Sequence, residues 1–287
     1  MSQPRREWRL RGSDTSWAIA FLLPYASVFV AFVIYPAAFG LWMGSDPKLY
    51  RTLFSDPLYL TTAFNTLLFA AVGVNLQIFG AFLLSGFFMQ RGRFRRALLV
   101  VYLLPCALPA LSAFVSIHYM TVSEMGFADS LWRAITGEDG PLFLVSRWLA
   151  TSVNIAAYIW KWMPFWTLVF MAARWAIPAE VYEAAAIDGA SRMDCFVFVT
   201  FPLLANVYLV CTLLAAIWAI GDFSTVYFVS YGAPARETDI LATFGFHRAF
   251  DFGYPNQGSA AMMSALPFLI PAVILLMRRI RLTGVQL

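Results

Sequence analysis

Residues 178–202 read PAEVYEAAAIDGASRMDCFVFVTFP, and the rest of the chain is organised around them. Pro178 suits the first turn of a helix, where its missing N–H costs nothing. Glu180 and Glu183 follow in the early turns, where carboxylates favour the helix dipole. Ala184, Ala185 and Ala186 are strong helix formers. Gly189 falls where a helix end favours a left-handed residue. Ser191 and Asp194 have the spacing of a capping box, just ahead of the apolar run Cys195 to Phe201. These residues predict a short helix, a glycine turn, and a second helix that leads into an apolar segment.

Composition excludes a soluble globule. Of 287 residues, 61% are hydrophobic and 13% charged, with a mean hydropathy of +0.70. Such a chain has too little polar surface to cover a water-facing core, so it is an integral membrane protein. The net charge of +4 could suggest nucleic acid in a soluble protein, but topology accounts for it here. Cys106, Cys195 and Cys211 lie in or beside apolar runs and read as small packing residues, without disulfide or metal spacing.

Six apolar runs are long enough to span a bilayer: about 17–43, 62–89, 97–120, 150–175, 196–220 and 259–277. The basic segment 1–16 resembles the start of a signal peptide. The run behind it is too long for one and predicts an uncleaved first span, with kinks possible at Pro24 and Pro36. Pro105 and Pro109 interrupt the third run. Asn65, Asn75 and Gln77 in the second run are expected to face protein or a cavity, and Gly73, Gly80 and Gly86 to allow close packing. Six spans put both termini on one side. Thirteen basic residues lie on that side, among them Arg91, Arg93, Arg95, Arg96, Arg174 and Arg192, against six on the other. The positive-inside rule then predicts both termini, and the 177–202 loop, in the cytoplasm. The chain reads as one membrane domain, 17–281, between the segment 1–16 and a tail, 282–287.

Glu183-Ala184-Ala185, Asp188-Gly189-Ala190, Phe196, Val199 and Pro202 together resemble the EAA signature of bacterial ABC importer permeases. Ile177-Pro178 and Tyr182 look like the carbohydrate-uptake branch, the maltose and glycerol-3-phosphate permeases. Phe201 stands where the family usually carries Leu, an apolar exchange. DFSTVYFVSYGAP, residues 222–234, is similar to the family's outer segment, with Ala233 for its second glycine. The resemblance implies an all-α membrane protein of six transmembrane helices, of the type I importer permease kind, in the bacterial inner membrane. It implies that Glu180, Glu183, Ala184, Ala185, Asp188, Gly189 and Ala190 form a coupling element that docks on an ATPase. The partners it implies are two ATPase subunits, a homologous second permease, an extracytoplasmic solute-binding protein and membrane lipid. No phosphate-binding GxxxxGK[ST] occurs, so this chain is expected to be no enzyme and to bind no cofactor. ATP and Mg would be used by the partner.

For the substrate, Asn154, Trp160, Lys161, Asp222 and Tyr227 are candidates. A charge within a span is costly and marks a protein or water contact. Aromatic rings beside polar groups suit sugars. For Trp160 and Trp162, packing is an equal alternative, and Asp222 near the outer end of its span can simply be solvated. His118 and His247 are expected to be isolated polar residues near the outer boundary. A non-sugar solute is the alternative cargo. A secondary transporter would need ionisable relays and repeated halves, and a membrane enzyme a convergent catalytic cluster; the sequence offers neither.

Overall fold

The computed structural model describes residues 14–122 and 126–282. Most of the N-terminal basic segment (1–13), residues 123–125 and the tail from 283 on lie outside the described residues. The described chain is helical, and five helices are long and apolar enough to cross a membrane: Ser16–Met43, Pro57–Phe88, Arg147–Trp175, Arg192–Ile220 and Pro255–Arg279. They are the first, second, fourth, fifth and sixth spans. Each covers the apolar run that predicted it to within one residue and is extended by a few flanking residues. One end of the bundle carries Arg91–Arg96, Arg174, Arg192, Arg278 and Arg279, and is here the basic face; the opposite end is the far face.

The third span differs from expectation. It is two helices, Arg93–Ala107 and Ala110–Thr121, bent by 99°. The cause is local. The carbonyl of Pro105 would bond the N–H of residue 109, but Pro109 has none. Lys161, buried on the fourth span, supplies the missing donors: its Nζ lies 2.5 Å from both Pro105 O and Leu108 O.

The core forms where the second, fourth and fifth spans meet. Phe82 is its hub near the basic face, with ring centroids 5.3–5.9 Å from Phe170, Phe196, Phe201 and Tyr208. The second and fourth spans approach so closely that a Cβ at Gly80 would lie 2.9 Å from Met163 Sδ. Asn65 and Gln77 are buried as expected. Asn75 is a correction: it is exposed, and its amide donates to its own helix at Ala71 O. It sits at the end of a π-helical turn, Phe69–Val74, where a widened ladder leaves carbonyls free to be met locally.

The first span is the opposite of the core. None of its most apolar stretch is buried. It leans on the protein at its far end, where Gly44 packs so tightly on Ala260 and Met263 that any Cβ would collide.

Residues 221–254 fold back onto the far ends of the spans. Asn65 Nδ2 donates to Glu237 O and Asp239 O (2.6 and 3.0 Å) and Leu241 N donates to Thr66 Oγ1 (2.9 Å). Asn154 Nδ2 donates to Ser230 Oγ (2.9 Å), and His118 Nδ1 to Val229 O (2.8 Å). Three different spans thus hold this segment by its backbone and hydroxyls.

Candidate functional site

At the basic face, a short helix runs Ala179–Ile187 with Pro178 as the residue before it. It ends in a paired turn: Ala190 N bonds Ala185 O (2.9 Å) and Gly189 N bonds Ala186 O (3.1 Å), with Gly189 at φ +77°. This is the Schellman arrangement, and it needs a left-handed residue at Gly189. The capping box follows: Ser191 Oγ accepts from Asp194 N, and Asp194 Oδ2 from Ser191 N. The fifth span starts there and widens into a π-helical turn, Cys195–Thr200, just before Pro202, which cannot donate to the ordinary ladder.

The helix projects from the bundle. Glu180, Glu183, Ala184, Asp188 and Gly189 are exposed, while Ala185 and Ala190 are half-buried. Ile187 is 87% exposed and Met193 67%. An apolar tip beside two carboxylates, carried on a capped helix, is a surface suited to a protein partner. Arg174, just ahead of it, is committed elsewhere. Its guanidinium donates to Ser85 Oγ (2.8 Å) and Phe82 O (3.1 Å) and lies over the Phe82 ring.

In the far half, Tyr158, Trp162, Trp218 and Asp222 line a cavity of about 190 Å³. Tyr158 and Trp162 are one helical turn apart on the fourth span. Trp218 and Asp222 repeat that spacing across the end of the fifth. Asp222 Oδ1 accepts from Thr225 N at 3.4 Å, while Oδ2 is buried without a partner. Three rings and a carboxylate with a free acceptor can take up a small polyhydroxylated body: rings cover C–H faces and the carboxylate accepts from hydroxyls.

The other candidates lie apart from this cavity. Trp160 is two residues from Trp162, hence about 200° round the helix. It lines a different, mostly apolar cavity of about 570 Å³ at the break of the third span, with Leu108, Ser112 and Ser116. Lys161 is held at that break, Asn154 holds Ser230, and Tyr227 stacks on Phe223 with centroids 4.5 Å apart. Sequence reasoning misses Tyr158 and Trp218, whose signal is the four-residue spacing to Trp162 and Asp222.

The histidines are not isolated. His247 is buried, with Nδ1 2.6 Å from Asp251 Oδ2 and Nε2 3.8 Å from Asp239 Oδ1. Burial pushes the Asp239 carboxyl up to about 7 and lowers His247. The hydrogen bond from His247 holds Asp251 below the usual carboxylate range. Asp239 Oδ1 also accepts from Thr243 Oγ1 at 2.9 Å. The correction has a simple cause: the sequence places these residues in a loop, and the loop is folded inward.

A helical bundle with a capped, outward helix between its fourth and fifth spans defines a polytopic membrane transport component. Residues 77–281 match the family described as binding-protein-dependent transport system inner membrane component, and the chain belongs to that family. It is 26% identical to the trehalose/maltose transport system permease protein MalF of Thermococcus litoralis over 285 residues, covering 93% of this chain and 92% of the relative. It is 28% identical to the sulfoquinovosyl glycerol transport system permease protein SmoG of Agrobacterium fabrum, covering 91% and 90%. Its fold is similar to a chain of a bacterial alginate ABC transporter solved with an alginate-bound periplasmic protein, at a TM-score of 0.83 and 21% identity, covering 94% and 97% of the two chains.

Proposed function

We propose that this permease subunit imports a sugar or related polyol or glycoside, and that the helix Ala179–Ile187 couples it to ATP hydrolysis in a partner. The observation that carries the reading is the projecting helix itself. It is rigid by virtue of its caps and apolar at its tip, and it offers Glu180, Glu183 and Asp188 to a docking cleft. Two ATPase subunits would bind ATP and Mg, and this chain supplies the surface on which they push. Both termini and this helix lie in the cytoplasm, supported by the concentration of arginines at the basic face.

A second, homologous permease would complete the membrane part. The uncovered first span supports this, since its most apolar stretch is unburied and only its far end packs on its own chain. An extracytoplasmic binding protein would deliver the cargo to the far face, where Asp222, Trp162, Trp218 and Tyr158 receive it. The cargo class is supported by that cavity and by the carbohydrate names of the relatives. Asn154, Lys161 and Tyr227 serve this site by shaping the helices and the 221–254 segment around it, and Trp160 borders a separate cavity.

The test is co-purification of the ATPase with the permease pair. Glu183→Lys, which reverses a charge on an exposed surface, is expected to lose the ATPase while the permease pair stays assembled in the membrane. Undiminished co-purification would contradict the coupling role.

A further inference from the structure

The helix Ala179–Ile187 is joined to the fifth span by the turn Asp188–Ser191, which contains a glycine. Left to itself, such a turn is a joint, and a push on the helix would be absorbed there. The structure bridges the joint with a side-chain strut. Tyr182 OH lies 3.1 Å from Thr200 Oγ1. Thr200 has one hydroxyl proton, and it is given to Cys195 O at 3.2 Å. Tyr182 is therefore the donor, and Thr200 the acceptor. Thr200 is buried at 4% exposure and closes the π-helical turn Cys195–Thr200. The half-buried Tyr182 points inward, away from the exposed face of Glu183 and Ile187.

The neighbouring connection is built differently. The fourth span reaches the same helix through Ala176–Pro178, but its end is fastened to the second span by Arg174 through Ser85 and Phe82. The fourth and second spans are thus hydrogen-bonded into one fixed body at the basic face, which the fifth span meets there through the ring packing of Phe196, Phe201 and Tyr208 on Phe82. The fifth span carries the strut instead, and it runs on for 22 residues, about 33 Å at 1.5 Å per residue, to Asp222. Trp218 and Asp222 ride on this lever, whereas Tyr158 and Trp162 ride on the fixed body.

We infer that Tyr182 and Thr200 are positioning residues that lock the coupling helix to the fifth span, so that a displacement imposed by the ATPase shifts Trp218 and Asp222 against Tyr158 and Trp162. This rests on the coupling role proposed above. The pair touches neither cargo nor nucleotide; it determines which span moves with the helix.

The test uses the reconstituted complex of both permeases, ATPase and binding protein, with ATP and vanadate as the probe that traps the nucleotide-bound state. Hydrogen exchange of residues 216–230 is compared with and without trapping. The wild type is expected to change its exchange on trapping. Thr200→Val and Tyr182→Phe should lose most of that change while retaining ATPase co-purification, and Thr200→Ser, which keeps the hydroxyl, should restore it. The double variant should lose no more than either single one, because both cut the same strut. A wild-type trapping response in both Thr200→Val and Tyr182→Phe overturns the strut and leaves the docking role intact. Loss of co-purification in Glu183→Lys is the separate readout of docking, so the two ideas fail separately. If Thr200→Val does not assemble, the trapping response of Tyr182→Phe alone decides: its loss supports the strut, and its retention overturns it.

Discussion

The helix Ala179–Ile187 and the segment 221–254 flank the two ends of the fifth span and are built by opposite means. The helix is made by its own residues: alanines, a Schellman turn at Gly189 and a capping box at Ser191 and Asp194. It stands almost free of the bundle. The far segment has only short helices, Ser224–Val229 and Leu241–Phe246, the second running into a π-helical turn, His247–Asp251. It is shaped by Asn65, Asn154, Thr66 and His118, residues on other spans and 76 to 175 positions away in sequence. One is a self-made module tied to the fifth span through Tyr182 and Thr200. The other is a segment fitted to the core.

This contrast predicts that cutting the bonds that hold the far segment costs global stability and that helix changes cost function. The largest effect is expected for Asn65→Leu. It strands the carbonyls of Glu237 and Asp239 and the Arg147 guanidinium, which donates to Asn65 Oδ1 at 3.0 Å. Each buried group left unsatisfied costs about 1–3 kcal/mol, so thermal unfolding in detergent should shift strongly downward. Wild-type unfolding would break the comparison. Lys161→Met should be next, because it leaves Pro105 O and Leu108 O without donors at the bend. Two carbonyls at about 1–3 kcal/mol each predict a clear loss of thermal stability, read in the same assay.

Asp222→Asn should leave unfolding unchanged and impair uptake, since a carboxylate with a free acceptor becomes an amide. Normal uptake would return Asp222 to a solvated span end. Gly189→Leu is milder for the fold: a Cβ at φ +77° meets nothing within 4 Å, so the cost is the backbone strain of about 1–2 kcal/mol, confined to the turn. A pH effect is expected at Asp239. Its folded carboxyl is raised to about 7, so its contribution is full below the unfolded value near 4 and is lost as pH rises through 7. Asp239→Asn should therefore gain stability over the wild type as pH goes from 4 to 7. The difference between the two proteins reports Asp239 together with its coupling to His247 and Asp251.

The legibility of these regions in the sequence follows from how they are built. Spans announce themselves by apolar length, and caps by residues one turn apart, so the five long helices, Gly189 and Ser191–Asp194 are readable. Pro109 predicts an interruption, but not a 99° turn, because the bend depends on Lys161 arriving from another helix. Lys161 itself is legible as a misplaced charge; its partner is not, since carbonyls carry no sequence signal. His247 and Asp239 look like loop residues until the loop folds inward. Residue type alone points to Trp160 and Asp222, and only the helix phase separates their cavities.

In the proposed function, the projecting helix transmits force between an ATPase and the span that carries Asp222. The most direct measurement is ATP hydrolysis by the reconstituted complex, with and without its loaded binding protein, in wild type, Glu183→Lys and Gly189→Leu. Loaded binding protein is expected to stimulate the wild type, and both variants are expected to lose the stimulation while the permease remains folded in the membrane. Wild-type stimulation in both variants would contradict it.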